Sequence, residues 1–239
     1  MAHRPDFARI RTALATSVHF RSLGPADLDA LARLGRIAHL RDGESGGRAG
    51  ARRRDVWIVL SGSMRMSSST AAGDEYVYAM LGPGSYYGIG SLLSDTRTLV
   101  DAHAVGPTSL IVIRGVELLA LLDQRPWLWR HVARLLHRRL TLALTVVSDL
   151  ALTPLSQKIV RRLLSQAMSA GEDLRQAGPV ELRLTQTDLA RMLGVSRSKI
   201  NVALKRLERE GLLRLKYRRI VLKDGARLCE LAGPRLFAF

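Results

Sequence analysis

Between Thr185 and Leu207 the chain sets two short amphipathic segments on either side of one glycine, and few folds accept that arrangement. Thr185 is placed to cap a first helix whose apolar side is Leu189, Ala190 and Leu193. Gly194 supplies the left-handed backbone of a sharp turn, Val195 plugs the corner, and Ser196 caps a second helix burying Ile200, Ala203, Leu204 and Leu207. Small Ala190, the turn glycine and apolar 195 and 200 are what two steeply crossing helices require across a turn of roughly three or four residues. That is the helix-turn-helix of DNA-binding proteins.

The outward face of the second helix begins Ser196-Arg197-Ser198-Lys199 and continues through Asn201, Val202, Lys205 and Arg206. Residues at the N-terminus of such a helix reach base edges in the major groove. Arg197 can fork onto guanine O6 and N7, and Asn201 suits adenine or a phosphate. Lys199, Lys205 and Thr185 suit phosphates, which position without specifying. After Gly211, Leu212–Leu215 and Ile220–Leu222 alternate around Lys216-Tyr217-Arg218-Arg219, a two-stranded wing with a basic tip. The candidate DNA-contacting set is therefore Thr185, Thr187, Ser196, Arg197, Ser198, Lys199, Asn201, Lys205 and Arg218. Charge agrees with the motif. Residues 153–239 hold 18 Lys and Arg against 8 Asp and Glu, about three times the net charge density of the preceding chain.

Upstream the pattern is different. Residues 24–35 read as a short helix opened by Pro25, striped by Leu28, Leu31 and Leu34, and closed by Gly35. From 40 to 114, short β-rich segments (Val56–Leu60, Met64–Met66, Tyr76–Leu81, Ser109–Ile113) are separated by glycine-rich turns, which predicts an antiparallel barrel or sandwich. Arg52-Arg53-Arg54 falls in one connection and reads as a solvated loop. Val116–Leu122 is helical, and a longer helix opens near Pro126. Along it Trp129, Ala133, Leu136, Leu140, Ala143, Val147 and Leu150 form an apolar heptad seam. Because this helix follows a complete β domain, the seam predicts self-association through Trp129, Leu136, Leu140, Ala143, Val147 and Leu150 rather than packing inside its own domain. It stops at Leu152-Thr153-Pro154, where Thr153 can cap and Pro154 can begin a helix carrying Leu155, Ile159, Leu163, Leu164 and Met168, ended by Gly171. The expected layout of this α+β chain is a β-roll over 1–125, a dimerisation helix over 126–152 and a winged helix-turn-helix over 153–239.

Taken in that order, these parts resemble the cyclic-AMP receptor protein (CRP)/FNR family of bacterial transcription regulators. The resemblance rests on Val59-Leu-Ser-Gly-Ser-Met-Arg65, on Leu81-Gly-Pro-Gly-Ser-Tyr-Tyr-Gly-Ile-Gly-Ser-Leu-Leu93, and on Leu193-Gly-Val-Ser-Arg-Ser-Lys-Ile-Asn201. It implies a cyclic-nucleotide-binding-like antiparallel β-roll sensor, a homodimer and a palindromic promoter site on double-stranded DNA, with RNA polymerase a candidate partner. Members that bind cyclic AMP carry Phe-Gly-Glu at the ligand cassette, the Glu holding the ribose, and an Arg-Ser/Thr pair gripping the phosphate. Here the cassette reads Tyr87-Gly88-Ile89-Gly90 with no carboxylate. An Arg97-Thr98 pair is present, but its register to Ala102-His103-Ala104 is one residue too long. The implied ligand set is Tyr87, Gly88, Gly90, Ser91, Arg97 and Thr98. These departures argue against cyclic AMP and leave another nucleotide such as cyclic di-GMP, another small effector, or none. Ser198 stands where many members have Glu, and Val202 where many have a base-contacting Arg.

Other chemistry is poorly served. Cys229 is the sole cysteine, which excludes a disulfide or a cysteine-ligated cluster within one chain. The six histidines form no metal-binding pair, and no Gly-x-Ser-x-Gly or phosphate-loop pattern occurs, so neither a metal nor an enzymatic activity is expected. The longest apolar run, Leu140–Val147, is interrupted by Thr141 and Thr145 and falls short of the roughly 20 residues a membrane span needs. The N-terminus lacks the apolar core of a secretion signal, so a cytoplasmic protein is expected.

Overall fold

The computed structural model describes residues 4–52, 54–169 and 178–233. Helices α1 (Arg4–Thr16) and α2 (Pro25–Leu34) are followed by strands β1 (Gly35–Leu40), β2 (Ser45–Gly47), β3 (Asp55–Ser61), β4 (Met64–Ser69), β5 (Glu75–Leu81) and β6 (Tyr86–Tyr87). Then come α3 (Ile89–Ser94), β7 (Asp101–Ala104), β8 (Thr108–Arg114), α4 (Gly115–Gln124), α5 (Trp127–Leu152) and α6 (Leu155–Ser169). The chain closes with β9 (Val180–Leu182), α7 (Gln186–Leu193), α8 (Arg197–Arg209), β10 (Leu213–Lys216), β11 (Arg219–Leu222) and α9 (Gly225–Ala232). Among the described residues, no helix is long and apolar enough to cross a membrane. The Gly171 terminus expected for α6 lies outside the described residues, as does Arg53.

The backbone forms two compact units. One holds residues 1–68 and 80–137; the other holds 69–79 and 138–239. In the first, an antiparallel sheet ordered β1-β8-β3-β6 lies between two apolar cores. Successive side chains of a strand point to opposite faces. On β8, Ile111 and Ile113 accordingly join the core built with α1, α2, α4 and the start of α5, while Leu110 and Val112 join Met64, Met66, Ala102 and Ala104. On β3, Val56 and Ile58 take the first side and Val59 the second. Burial on both faces is why β8 reads as an unbroken apolar run instead of alternating.

Gly35 was expected to stop α2. It does so by opening β1 in an extended conformation (φ −75°, ψ 141°), not by a left-handed turn. Its lack of a side chain serves packing instead: a Cβ there would lie 2.9 Å from Ile111 and 3.1 Å from Ile10. At the other end of this unit Asp27 fixes the entry to α5, accepting from Arg125 Nη1 at 2.6 Å and Trp127 Nε1 at 3.0 Å. The Tyr86 hydroxyl donates to the Leu135 carbonyl at 3.0 Å. The stripe of α5 buried here is Leu128, Val132 and Leu135.

In the second unit, α6 buries Ile159, Val160, Leu163, Leu164 and Ala167. Of the residues expected on that face, Leu155 is half-buried and Met168 exposed, because the fully buried stripe runs only from Ile159 to Ala167. Thr153 does not cap α6; its hydroxyl donates back to Asp149 at 3.2 Å, and Lys158 N–H bonds the Pro154 carbonyl. Arg161 locks this corner. Its Nη1 pairs with Asp149 and its Nε donates to the Ala232 carbonyl at 2.7 Å, tying α5, α6 and α9 together.

Gly35→Ala should overpack the contact of β1 with Ile10 and Ile111, lowering unfolding free energy by about 1–3 kcal/mol in a denaturant titration. Wild-type stability in the variant would contradict the packing role assigned to this glycine.

Candidate nucleic-acid interface

The pair α7–α8 is built by its caps. Thr185 and Asp188 form a reciprocal capping box: Asp188 N–H donates to Thr185 Oγ1 at 3.0 Å, and Asp188 Oδ2 accepts from Thr185 N–H at 3.2 Å. Asp188 Oδ2 also accepts from the Thr185 hydroxyl at 2.6 Å. Gly194 ends α7 at φ 63°, a conformation that costs other residues roughly 1–2 kcal/mol. Val195 N–H then reaches the Ala190 carbonyl at 3.1 Å. Ser196 starts α8 by accepting from Lys199 N–H. Leu189, Ala190, Met192 and Leu193 pack the inside of α7, and Ile200, Leu204 and Leu207 that of α8; Ala203, expected among them, is half-buried.

This packing turns Arg197, Ser198, Lys199, Val202, Lys205 and Arg206 outward, with Asn201 half-buried at the edge. Among the described residues no carboxylate lies within ion-pair distance of Arg197, Lys199 or Lys205, whereas Arg206 pairs with Glu210. The open amides and dipole of the α8 N-terminus add positive potential beside Arg197 and Lys199. The face thus combines uncompensated charge with a fork donor on an exposed helix surface. Of the sequence-derived set, the Thr185 and Ser196 hydroxyls are engaged in caps, and Thr187 is half-exposed on α7.

The wing is a three-stranded sheet, β10-β11-β9, one strand more than the sequence suggested. Glu208 fastens it to α8 by accepting from Leu215 N–H at 2.7 Å. At the tip Lys216 faces Arg219 in register, and both pair with Glu181 of β9. Between them Tyr217 and Arg218 are exposed, and Arg218 has φ 57°, an uncommon conformation for a residue other than glycine. The Arg219 and Lys216 cations hold the Glu181 carboxyl below its usual range.

In the first unit the proposed ligand residues are scattered in environment. Tyr87 is buried in the apolar cluster with Met64, with its ring 5.6 Å from that of Trp57. A Cβ on Gly46 would lie 2.6 Å from the Tyr87 hydroxyl oxygen. Gly88 caps α3 at φ 98°; Gly90 is exposed and Ser91 half-buried on that helix. Ile89, in the cassette where cyclic-AMP binders carry a carboxylate, is 5% exposed in the core. Arg97 is exposed and donates to the Gly50 carbonyl at 2.7 Å, while Thr98 is half-buried and donates to Val100.

Two interactions of the second unit escaped the sequence reading: Arg191 with Glu75, and Arg162 with the Tyr78 carbonyl. Both join residues far apart in the chain, and no periodicity announces them.

Residues 38–125 match the model of the cyclic nucleotide-binding domain, and residues 157–231 that of the Crp-like helix-turn-helix domain. The cyclic AMP receptor protein of Thermus thermophilus is 33% identical over 178 residues, covering 74% of this chain and 79% of that one. The transcriptional activator protein anr of Pseudomonas aeruginosa is 26% identical over 210 residues, covering 87% and 84%. The solved structure of FixK2 from Bradyrhizobium japonicum superposes with a TM-score of 0.73 at 21% identity, covering 84% of this chain and 98% of that one, which shows a shared fold.

Because Glu181 has a lowered folded-state value, its grip on the wing tip is present at neutral pH. The grip disappears as the pH falls through that value. An NMR titration should show Tyr217 and Arg218 resonances moving together with the Glu181 carboxyl in acid, and no such transition in Glu181→Gln. Tip resonances indifferent to acid in the wild type would contradict it.

Proposed function

The chain belongs to the CRP/FNR family of DNA-binding transcription regulators, and from that premise we propose that it acts as a homodimer reading a two-fold symmetric promoter site. The observation that carries the reading is the outward face of α8, where Arg197, Lys199 and Lys205 are exposed and meet no carboxylate among the described residues. In this reading Arg197 forks onto a guanine, Asn201 contacts adenine or a phosphate, and Lys199, Lys205, Thr187 and Arg218 position the head on the backbone. Dimerisation is supported by the second apolar stripe of α5: Leu140 is 58% exposed and Val147 63%, with Ala143 also exposed between them. Two heads held by such a helix pair would engage half-sites about 34 Å apart, one turn of DNA. The layout over 1–125, 126–152 and 153–239, the cytoplasmic setting and an RNA polymerase contact follow from the same reading.

The β-roll is a sensor with an altered pocket. Buried Ile89 in the cassette and the surface position of Arg97 favour an effector other than cyclic AMP. A second reading, a constitutive binder, draws support from Tyr87, Trp57 and Met64 packed together where side chains take up the interior. A ligand that binds only the native state raises the melting temperature. Thermal shift with cyclic mononucleotides and cyclic di-GMP therefore separates the two, a rise supporting the sensor and none supporting the constitutive binder.

Selection from random DNA should return a palindrome. Binding should weaken steeply with salt as counterions are released. Arg197→Ala should lose roughly 1–3 kcal/mol of discrimination at one base position and keep weak nonspecific binding. Val147→Glu should give a monomer by light scattering with no palindrome preference. No palindrome for the wild type, or unchanged specificity in Arg197→Ala, would refute the reading.

A further inference from the structure

Residues 69–79, which are the last residue of β4, the loop after it and the first five residues of β5, belong to the same compact unit as the helix-turn-helix. Arg162 of α6 is 7% exposed, and its Nη2 donates to the Tyr78 carbonyl at 2.7 Å and the Val77 carbonyl at 3.5 Å. Its Nε is buried without an acceptor, and no carboxylate pairs with it among the described residues. A guanidinium taken from water and given only neutral acceptors is costly, and an apolar side chain of that size would pack the same space more stably. Such a group is more fitting as a device for capturing one particular strand than as a core element.

The captured strand delivers a carboxylate. Glu75 Oε2 lies 2.8 Å from Nη1 of Arg191, with the side chains 18% and 40% exposed. Arg191 sits one helical turn after Thr187, and both are on the accessible side of α7, whose Asp188, Leu189, Ala190, Met192 and Leu193 are buried. The first helix of a helix-turn-helix crosses the DNA backbone.

We propose that Arg191 is a further phosphate-contacting residue and that Glu75, held in place by Arg162, competes with DNA for it. The chain thereby carries its own brake on the reading head: a phosphate can claim Arg191 only by displacing Glu75. This rests on the DNA-reading assignment of α8.

The test is fluorescence anisotropy with the selected palindrome across a salt series. Glu75→Gln should bind about two- to fivefold more tightly at moderate salt, the range expected of a partly exposed ion pair. Its log–log salt slope should steepen by about 0.9 per half-site, one more phosphate neutralised. Arg191→Ala should bind more weakly with a shallower slope, and Glu75→Gln should bring no gain in the Arg191→Ala background. Arg162→Met should reproduce the gain of Glu75→Gln and speed hydrogen exchange at residues 75–78. Equal or weaker binding by Glu75→Gln, or a gain that survives without Arg191, overturns the brake while leaving palindrome recognition by the wild type intact. Failure of the wild type to select any site would overturn the DNA reading itself, and the brake with it.

Discussion

Helix α5 carries two apolar stripes that no single neighbour can cover. Leu128, Val132 and Leu135 are buried in the core of the first unit, whereas Leu140, Ala143, Leu144 and Val147 stay exposed further along. In the proposed dimer, covering the exposed stripe with a second copy would be worth roughly 25 cal/mol for each Å² removed from water. The polar ties at its ends are correspondingly firm. Asp27 holds the start through Arg125 and Trp127, and Arg161 holds the finish through Asp149.

Consecutive arginines on α6 divide the labour of the second unit. Arg161 has a carboxylate partner and fastens a corner of the backbone. Among the described residues Arg162 has no carboxylate partner, and its burial draws its pKa down. The first is a structural bolt in the sense that both charges are satisfied where they lie. The second carries a desolvation cost met only by neutral carbonyl acceptors.

The helix-turn-helix was legible because each of its constraints is local. Thr185, Gly194, Val195 and Ser196 occupy the positions that their side-chain chemistry dictates, and the turn follows from them. The β-rich stretch was legible as antiparallel, and Ala102-His103-Ala104 falls in β7, but β1, β2, β6 and β9 were not read, being short or lacking alternation. Gly35 shows why: its requirement comes from Ile10 and Ile111, which only the fold brings near. Met168 was misplaced because an apolar pattern gives a stripe without its limits. At the candidate interface, Arg197 and its neighbours followed from the helix pattern. The Glu75–Arg191 pair did not, since a strand end and a helix far along the chain share no signal.

The bond from Leu215 N–H to Glu208 has a wider meaning. It welds the wing to the last turn of α8, so the two projections form a gauge of set span rather than a pair of independent fingers. On the proposed reading, a surface engaging both projections would have to offer its two footholds at that span, and one stretched or compressed by a step would leave a foothold empty.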